Sequence, residues 1–299
     1  MATFRIVEND LLIPGNGVEV TSVCVLEGGR LAVSLDTMVH VWETHDNFKT
    51  FTFQRSLEGH TEPVSHLCML SKGRLASASR DNTVRIWDAS GECLHILEHS
   101  NVVTSICAIN DTHLVSASWD NGTHKCLSLW NLKKTDKPEV QYMLEGHGNA
   151  VMSVCSLGGE QFASGSLDHT VRVWNADSGE CLQVLEGHTA SVMSVCVVSS
   201  VLLVSTSADG RAWVWNPSNG ALQQVIDPAN FGFPWRMVKV FNLFNGHLAF
   251  ICNDKIVRFW ELHQDGFPIA TGGYRTKRRR MKKPYKKKKG KSRTLKRLT

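Results

Sequence analysis

An all-β fold of six repeated sheets is what this 299-residue chain predicts, on three observations. First, Trp42, Trp87, Trp130, Trp174, Trp215 and Trp260 recur every 41 to 45 residues. Second, each closes a short alternating strand: VHVW, VRIW, LSLW, VRVW, AWVW and VRFW. Third, an aspartate stands six residues before five of the six: Asp36, Asp81, Asp168, Asp209 and Asp254. The remaining repeat keeps Asp120 ten residues before Trp130, a four-residue insertion in its turn. Self-similarity at a fixed period of this length marks a repeat architecture more firmly than local propensity does.

Upstream of each turn the sequence predicts a second strand: LAVS, LASAS, LVSAS, FASGS, LVSTS and LAFIC. A third precedes it, and five of these end in an apolar residue followed by cysteine: Val23-Cys24, Leu67-Cys68, Ile106-Cys107, Val154-Cys155 and Val195-Cys196. The sixth has Val240-Phe241 instead. The charge-free run Thr189 to Ala208 falls in register with this pattern, so it reads as strands and not as a membrane span. The nine cysteines form no C-x-x-C pair, and the N-terminus lacks the basic start and apolar run of a secretory signal. Reduced thiols in a reducing compartment are therefore expected, and the sequons at Asn110 and Asn121 are expected to stay unmodified.

Gly59-His60, Gly146-His147 and Gly187-His188 each lie with the histidine 27 residues before a Trp-Asp or Trp-Asn pair. His99 is a degenerate version, with Glu98 in place of the glycine. With the tryptophan and aspartate periods, these residues resemble the WD40 repeat over roughly residues 18–262. The resemblance implies a β-propeller of four-stranded blades around a central channel. Six strand triplets run from Val18 to Trp260, and five fourth strands follow them, such as Phe51–Phe53, Cys93–Ile96 and Cys181–Val184. Seven blades are commoner in the family, but the flanking segments are too short for another unit of about 40 residues, which favours six. The missing fourth strand is expected from Phe4–Val7, packing beside the last triplet and closing the ring. The domains are then a propeller over 1–271 and a Lys/Arg-rich tail over 272–299 that should be disordered alone.

Histidine, serine and aspartate recur together as His60, Ser79 and Asp81, as His147, Ser166 and Asp168, and as His188, Ser207 and Asp209. These are also the ingredients of a hydrolase triad, but catalysis needs one copy in one cleft, and this set repeats with the fold's own period. The resemblance implies instead a hydrogen-bonded network with Trp87, Trp174 and Trp215 that pins each turn. Such bonding satisfies polar groups that would otherwise cost about 1–3 kcal/mol each when buried. The chain has no nucleophile elbow, phosphate-binding loop or H-E-x-x-H, and Cys24, Cys68, Cys107, Cys155 and Cys196 sit at equivalent points of separate blades. No enzymatic activity, metal, cofactor or small-molecule substrate is expected.

Family resemblance places partners on the face that bears the turn before each aspartate and the loop after each Gly-His. The turn positions are Leu35, Arg80, Trp119, Leu167, Ala208 and Asn253, of which Arg80 and Trp119 stand out. Both residue types are enriched at interface hot spots, and they fall on adjacent blades. Glu62, Asn101 and Asn149 add polar contacts from the loops after the histidines. The entry to the sixth repeat has no Gly-His, and its Phe231, Phe233 and Trp235 are expected to pack at the closing seam.

Charge divides the chain in two. Residues 275–299 hold 15 of the 33 basic side chains and no acid, which leaves 18 basic against 28 acidic elsewhere, a net of −10. Lys277, Arg278, Arg279, Arg280, Lys282, Lys283, Lys286, Lys287, Lys288 and Lys289 read as a clustered nuclear-import signal or a patch for RNA or another polyanion. The tail lacks the apolar anchor that stable membrane binding needs. The expected function is a non-enzymatic scaffold joining proteins in the nucleus or nucleolus, with ribonucleoprotein assembly suiting both halves. A cytoplasmic address is the alternative location. The alternative function is a substrate receptor of a cullin-type ubiquitin ligase, hinted at by Trp130-Asn131-Leu132-Lys133, which loosely matches a Trp-Asp-x-Arg docking motif.

Overall fold

The second strand of each repeat is sandwiched, so its residues must be apolar or small on both faces. In a computed structural model of the protein, every residue of Leu75–Ser79 is buried, with Ala76, Ser77 and Ala78 wholly inaccessible. The described residues are 20–45, 50–119, 126–133, 138–199, 201–231, 237–243, 247–252, 257–262 and 268–274. They form six antiparallel four-stranded sheets, in each of which the strands lie side by side in chain order.

Sheet one holds β1 (Val20–Leu26), β2 (Arg30–Leu35), β3 (Met38–His45) and β4 (Thr50–Leu57). Sheet two holds β5 (Val64–Met69), β6 (Leu75–Ser79), β7 (Thr83–Trp87) and β8 (Cys93–Glu98). Sheet three holds β9 (Val103–Ala108), β10 (His113–Ser118), β11 (Leu127–Asn131) and β12 (Glu139–Leu144). Sheet four holds β13 (Val151–Gly158), β14 (Gln161–Ser166), β15 (Val171–Asn175) and β16 (Cys181–Leu185). Sheet five holds β17 (Val192–Ser199), β18 (Leu202–Ser207), β19 (Ala212–Trp215) and β20 (Leu222–Ile226). Sheet six holds β21 (Met237–Leu243), β22 (His247–Cys252), β23 (Val257–Leu262) and β24 (Pro268–Tyr274). The charge-free run from Thr189 is thus the β17–β18 hairpin, and no helix among the described residues is long and apolar enough to cross a membrane.

Two expectations change. The fourth strand of sheet six is β24, paired with β23 from Val257↔Tyr274 to Leu262↔Pro268, so the place expected for Phe4–Val7 is taken. Phe4–Val7 itself lies outside the described residues. A short Pro- and Gly-bearing strand gives little pattern to read, and the edge of a sheet is where proline is tolerated. Because β24 ends at Tyr274, Gly272 to Tyr274 belong to the sheet and not to the tail.

A bulge sits immediately before the repeat tryptophan in every sheet, between strands three and four, as at Ile86/Trp87 and Val173/Trp174. A bulge bends its strand and re-aims the side chain beside it. The apolar core lies between sheets rather than within them. Val39 and Trp87 share a cluster across sheets one and two, Ile86 and Trp130 across two and three, and Leu129 and Trp174 across three and four. Val173 with Trp215, and Val214 with Phe250, continue the series across sheets four to six. The inner strands pack in the same succession, β1 on β5, β5 on β9, β9 on β13, β13 on β17 and β17 on β21.

Candidate functional site

Each Gly-His opens with a glycine no other residue replaces easily. Gly187 has φ +142°, and a Cβ there would stand 2.2 Å from the Trp213 ring. Gly146 has φ +145°, and its Cβ would meet Arg172 Nη1 at 2.8 Å. Backbone strain fixes the glycine at both positions, and at Gly187 a rigid ring adds steric overlap, whereas the guanidinium beside Gly146 is the end of a flexible side chain. The following histidine is thereby turned inward. In sheet four, Trp174 Nε1 donates to Ser164 Oγ at 2.8 Å, Ser164 donates to His147 Nε2 at 2.7 Å, and His147 Nδ1 donates to Asp168 Oδ2 at 2.7 Å. The direction follows from donor inventory: indole nitrogen only donates and an ionised carboxylate only accepts. Asp168 also accepts from Gly148 N, Thr170 N and Thr170 Oγ1.

The same chain of bonds runs through Trp87, Ser77, His60 and Asp81, and through Trp215, Ser205, His188 and Asp209. The hydroxyl that joins ring to ring is therefore Ser77, Ser164 or Ser205, two residues before the serine the sequence singles out. Ser79, Ser166 and Ser207 instead fasten the turn itself. Each accepts its aspartate's N–H and donates to a loop carbonyl, Glu62, Asn149 and Ala190 respectively. Both serines of S-x-S share one strand face, and sequence alone does not show which of them meets the histidine. Burial lowers the pKa of His60, His147 and His188 despite their carboxylate partners, and Asp81 and Asp168 are held below the usual carboxylate range by bonds that outweigh their own burial. Ser77, Ser164 and Ser205 are wholly inaccessible, so these arrays are latches and cannot attack a substrate. In sheet three, His99 bonds Leu97 O at 3.1 Å and Ser116 Oγ at 2.7 Å, with Trp130 Nε1 also on Ser116.

Around the axis, Arg80 and Trp119 come together on the wall of one cavity of about 710 Å³, although 39 residues separate them. Their backbones are set alike, with Arg80 N on Pro63 O and Trp119 N on Val102 O. Both side chains are exposed, Trp119 at 45%. Met152, Met193 and Lys239 complete the mouth, and no aspartate or glutamate among the described residues lines it. An adjoining cavity of about 620 Å³ is lined by all six inner strands, with His66, Cys68, Cys107, Cys155 and Cys196 on its wall. Burial pushes the thiol pKa of Cys24 up to about 11 and those of Cys68 and Cys196 up to about 12, which keeps them protonated and unreactive. Among the described residues no cluster of His, Cys, Asp or Glu is placed to hold a metal.

None of the other described docking positions singled out in the sequence is on the wall of this cavity. Glu62 is exposed. Asn101 and Asn149 each turn their side-chain oxygen to the next residue's N–H, at 2.8 and 2.7 Å, so that acceptor is already used. Leu35 is buried rather than presented at a turn. Trp130 and Leu132 of the ligase-like motif are buried, and Lys133 is exposed. Asn253, the side chain of Phe231, Phe233, Trp235 and the tail residues from 275 lie outside the described residues. Lys239, Met152 and Met193 are not legible as site residues in the sequence, because a channel wall is assembled from positions about 40 residues apart.

The family model for the WD domain, G-beta repeat matches four segments, residues 51–88, 91–124, 138–175 and 179–216. Ubiquitin homeostasis protein lub1 of Schizosaccharomyces pombe is 33% identical over 44% of this chain and 18% of its own length. A ribosome biogenesis protein WDR12 homolog of Nematostella vectensis is 28% identical over 52% of this chain and 43% of its own. Ribosome biogenesis protein YTM1 of Meyerozyma guilliermondii is 31% identical over 42% of this chain and 28% of its own. The chain thus spans less than half the length of each of these curated relatives. Among solved structures, the one described as the structure of U3-55K superposes with a TM-score of 0.74 at 22% identity, covering 87% of this chain and 82% of that one. The RRP9 WD40 repeats superpose equally well, with 87% and 81% covered. At that identity the likeness concerns the fold.

Proposed function

We propose that this chain, which belongs to the WD40-repeat family, is a protein-interaction scaffold whose docking point is the channel mouth at Arg80 and Trp119, working in ribonucleoprotein assembly in the nucleus or nucleolus. The observation that carries the docking point is the convergence of those two exposed side chains on one cavity wall. A planar cation and a large aromatic ring in a concave site are what interface anchors consist of. Arg80 meets no carboxylate among the described residues of the mouth, so it suits an extended partner segment bearing an acidic side chain beside an apolar one.

The nuclear and nucleolar address rests on the tail from Lys277 to Lys289 and on the two relatives named for ribosome biogenesis. Fifteen cations without an acid would hold RNA phosphates by a salt-sensitive, sequence-blind attraction. Affinity purification with and without nuclease tests the assembly reading. Ribosomal or RNA-processing proteins that leave on nuclease treatment support it. Ubiquitin-ligase subunits that stay bound after nuclease would overturn it in favour of a ligase receptor.

A further inference from the structure

The inner strands are tied to one another by a second periodic series. Ser22 Oγ accepts the Leu67 N–H at 3.1 Å, and His66 Nδ1 accepts the Ile106 N–H at 3.3 Å. Ser105, Ser153 and Ser194 accept from Val154, Val195 and Val240 at 3.2, 3.2 and 3.4 Å. Five bonds thus join six sheets in a row. In the sixth register position stands Lys239, whose ammonium has donors and no acceptor. The joint between sheet six and sheet one therefore receives no such bond.

Burial agrees at that joint. Val20 and Val23 on β1 are 42% and 53% exposed, whereas their counterparts on β5, β9, β13, β17 and β21 are between 0% and 5% exposed. Val25 and Phe241 are exposed beside them. Leu31, Val33 and Leu35 form a cluster with Trp42 and Phe51 that draws on sheet one alone. The latch is missing on both flanking sheets as well: Val33 and Phe250 occupy the position of Ser77, and Trp42 Nε1 is buried with no hydrogen-bond partner among the described residues.

We infer that residues 4–13 of this same chain fill the slot between β1 and β21, with apolar side chains on the Val20–Val23–Val25 face and a carboxylate of Glu8 or Asp10 on Lys239. Phe4, Ile6, Val7, Leu11, Leu12 and Ile13 supply the apolar surface, and residues 1–19 lead directly into Val20. Nineteen residues reach up to about 60 Å, ample for a seven-residue strand of about 23 Å. Tethering at Val20 makes docking intramolecular, with an effective concentration in the millimolar range for a short flexible tether. The other long segment outside the described residues, from 275 onward, carries 15 cations and no acid, and Lys239 repels it.

Val23 replaced by the photocrosslinker p-benzoylphenylalanine tests this in the full-length chain, with Val25 as a second position on the same face. After irradiation, cleavage at glutamates cuts at Glu19 and Glu27 and separates the labelled peptide from the segment before it. The expected result is an adduct to a peptide from residues 1–19, reduced about threefold to fivefold by Lys239→Glu, as loss of one exposed charge pair implies. Adducts joining two copies, adducts to the basic tail, or no adduct at either position would overturn the assignment.

Discussion

Ser164 Oγ lies 2.7 Å from His147 Nε2 and, on its other side, 2.8 Å from Trp174 Nε1, so one buried hydroxyl satisfies one ring from a loop and one from a strand. Removing it leaves a buried ring donor and a buried ring acceptor together. Ser164→Ala should cost about 2–3 kcal/mol, and Ser166→Ala, which frees only main-chain groups, about 1 kcal/mol. Urea denaturation of the two variants gives the comparison; equal losses would contradict the latch order.

Acid should weaken the fold before any carboxylate is neutralised. His66 and His99 are each pushed down to about 4, by burial first, with Lys239 adding at His66, while Leu97 O partly opposes it at His99. A histidine whose folded pKa is lowered stabilises the protein above its unfolded value near 6.5, and that contribution is lost as pH falls from there to 4. Each contributes on the order of 3 kcal/mol across that window. His60, His147 and His188 act in the same direction. The urea midpoint should fall between pH 7 and pH 5, and a flat profile would contradict the neutral histidines.

Glycine demand should be local. Gly187→Ala places a Cβ 2.2 Å from Trp213 at φ +142°, whereas Gly158→Ala meets nothing within 4 Å at φ +83°. The first should cost several kcal/mol and the second about 1 kcal/mol, the strain of the backbone alone. Thermal unfolding midpoints of the pair test this.

Thiol reactivity should separate the outer strand of sheet two from the channel. Cys93 is exposed on β8, while Cys68, Cys107, Cys155 and Cys196 have thiols whose pKa burial raises. With a maleimide at neutral pH, peptide mapping should find Cys93 modified well before those four. Equal rates would mean that the channel opens.

Residues 275–299 fused to a fluorescent reporter should concentrate it in the nucleus. Diffuse fluorescence would remove the tail as the source of the address.

Much of the fold is legible because each repeat tryptophan follows a bulge at the sequence period, and Asp81, Asp168 and Asp209 meet their histidines at the same place in three of the repeats. The sixth sheet is where reading fails: β24 has no apolar alternation in PIATGGY, so Phe4–Val7 reads as the better strand. Ser79 is legible as a turn-pinning residue, but Ser77 shares its strand face, and only the folded geometry shows which one meets His60. At the channel mouth, residue type marks Arg80 and Trp119, while Lys239 becomes visible only when six strands from distant segments surround one axis.

Docking at the mouth is decided by quantitative affinity purification of the full chain against a variant carrying Arg80→Glu with Trp119→Ala, with Glu92→Ala, an exposed residue away from the mouth, as a control. If the mouth is the docking point, the principal co-purifying proteins fall about tenfold or more in the double variant, as loss of hot-spot residues implies, and persist in the control. An unchanged partner set in the double variant would contradict it.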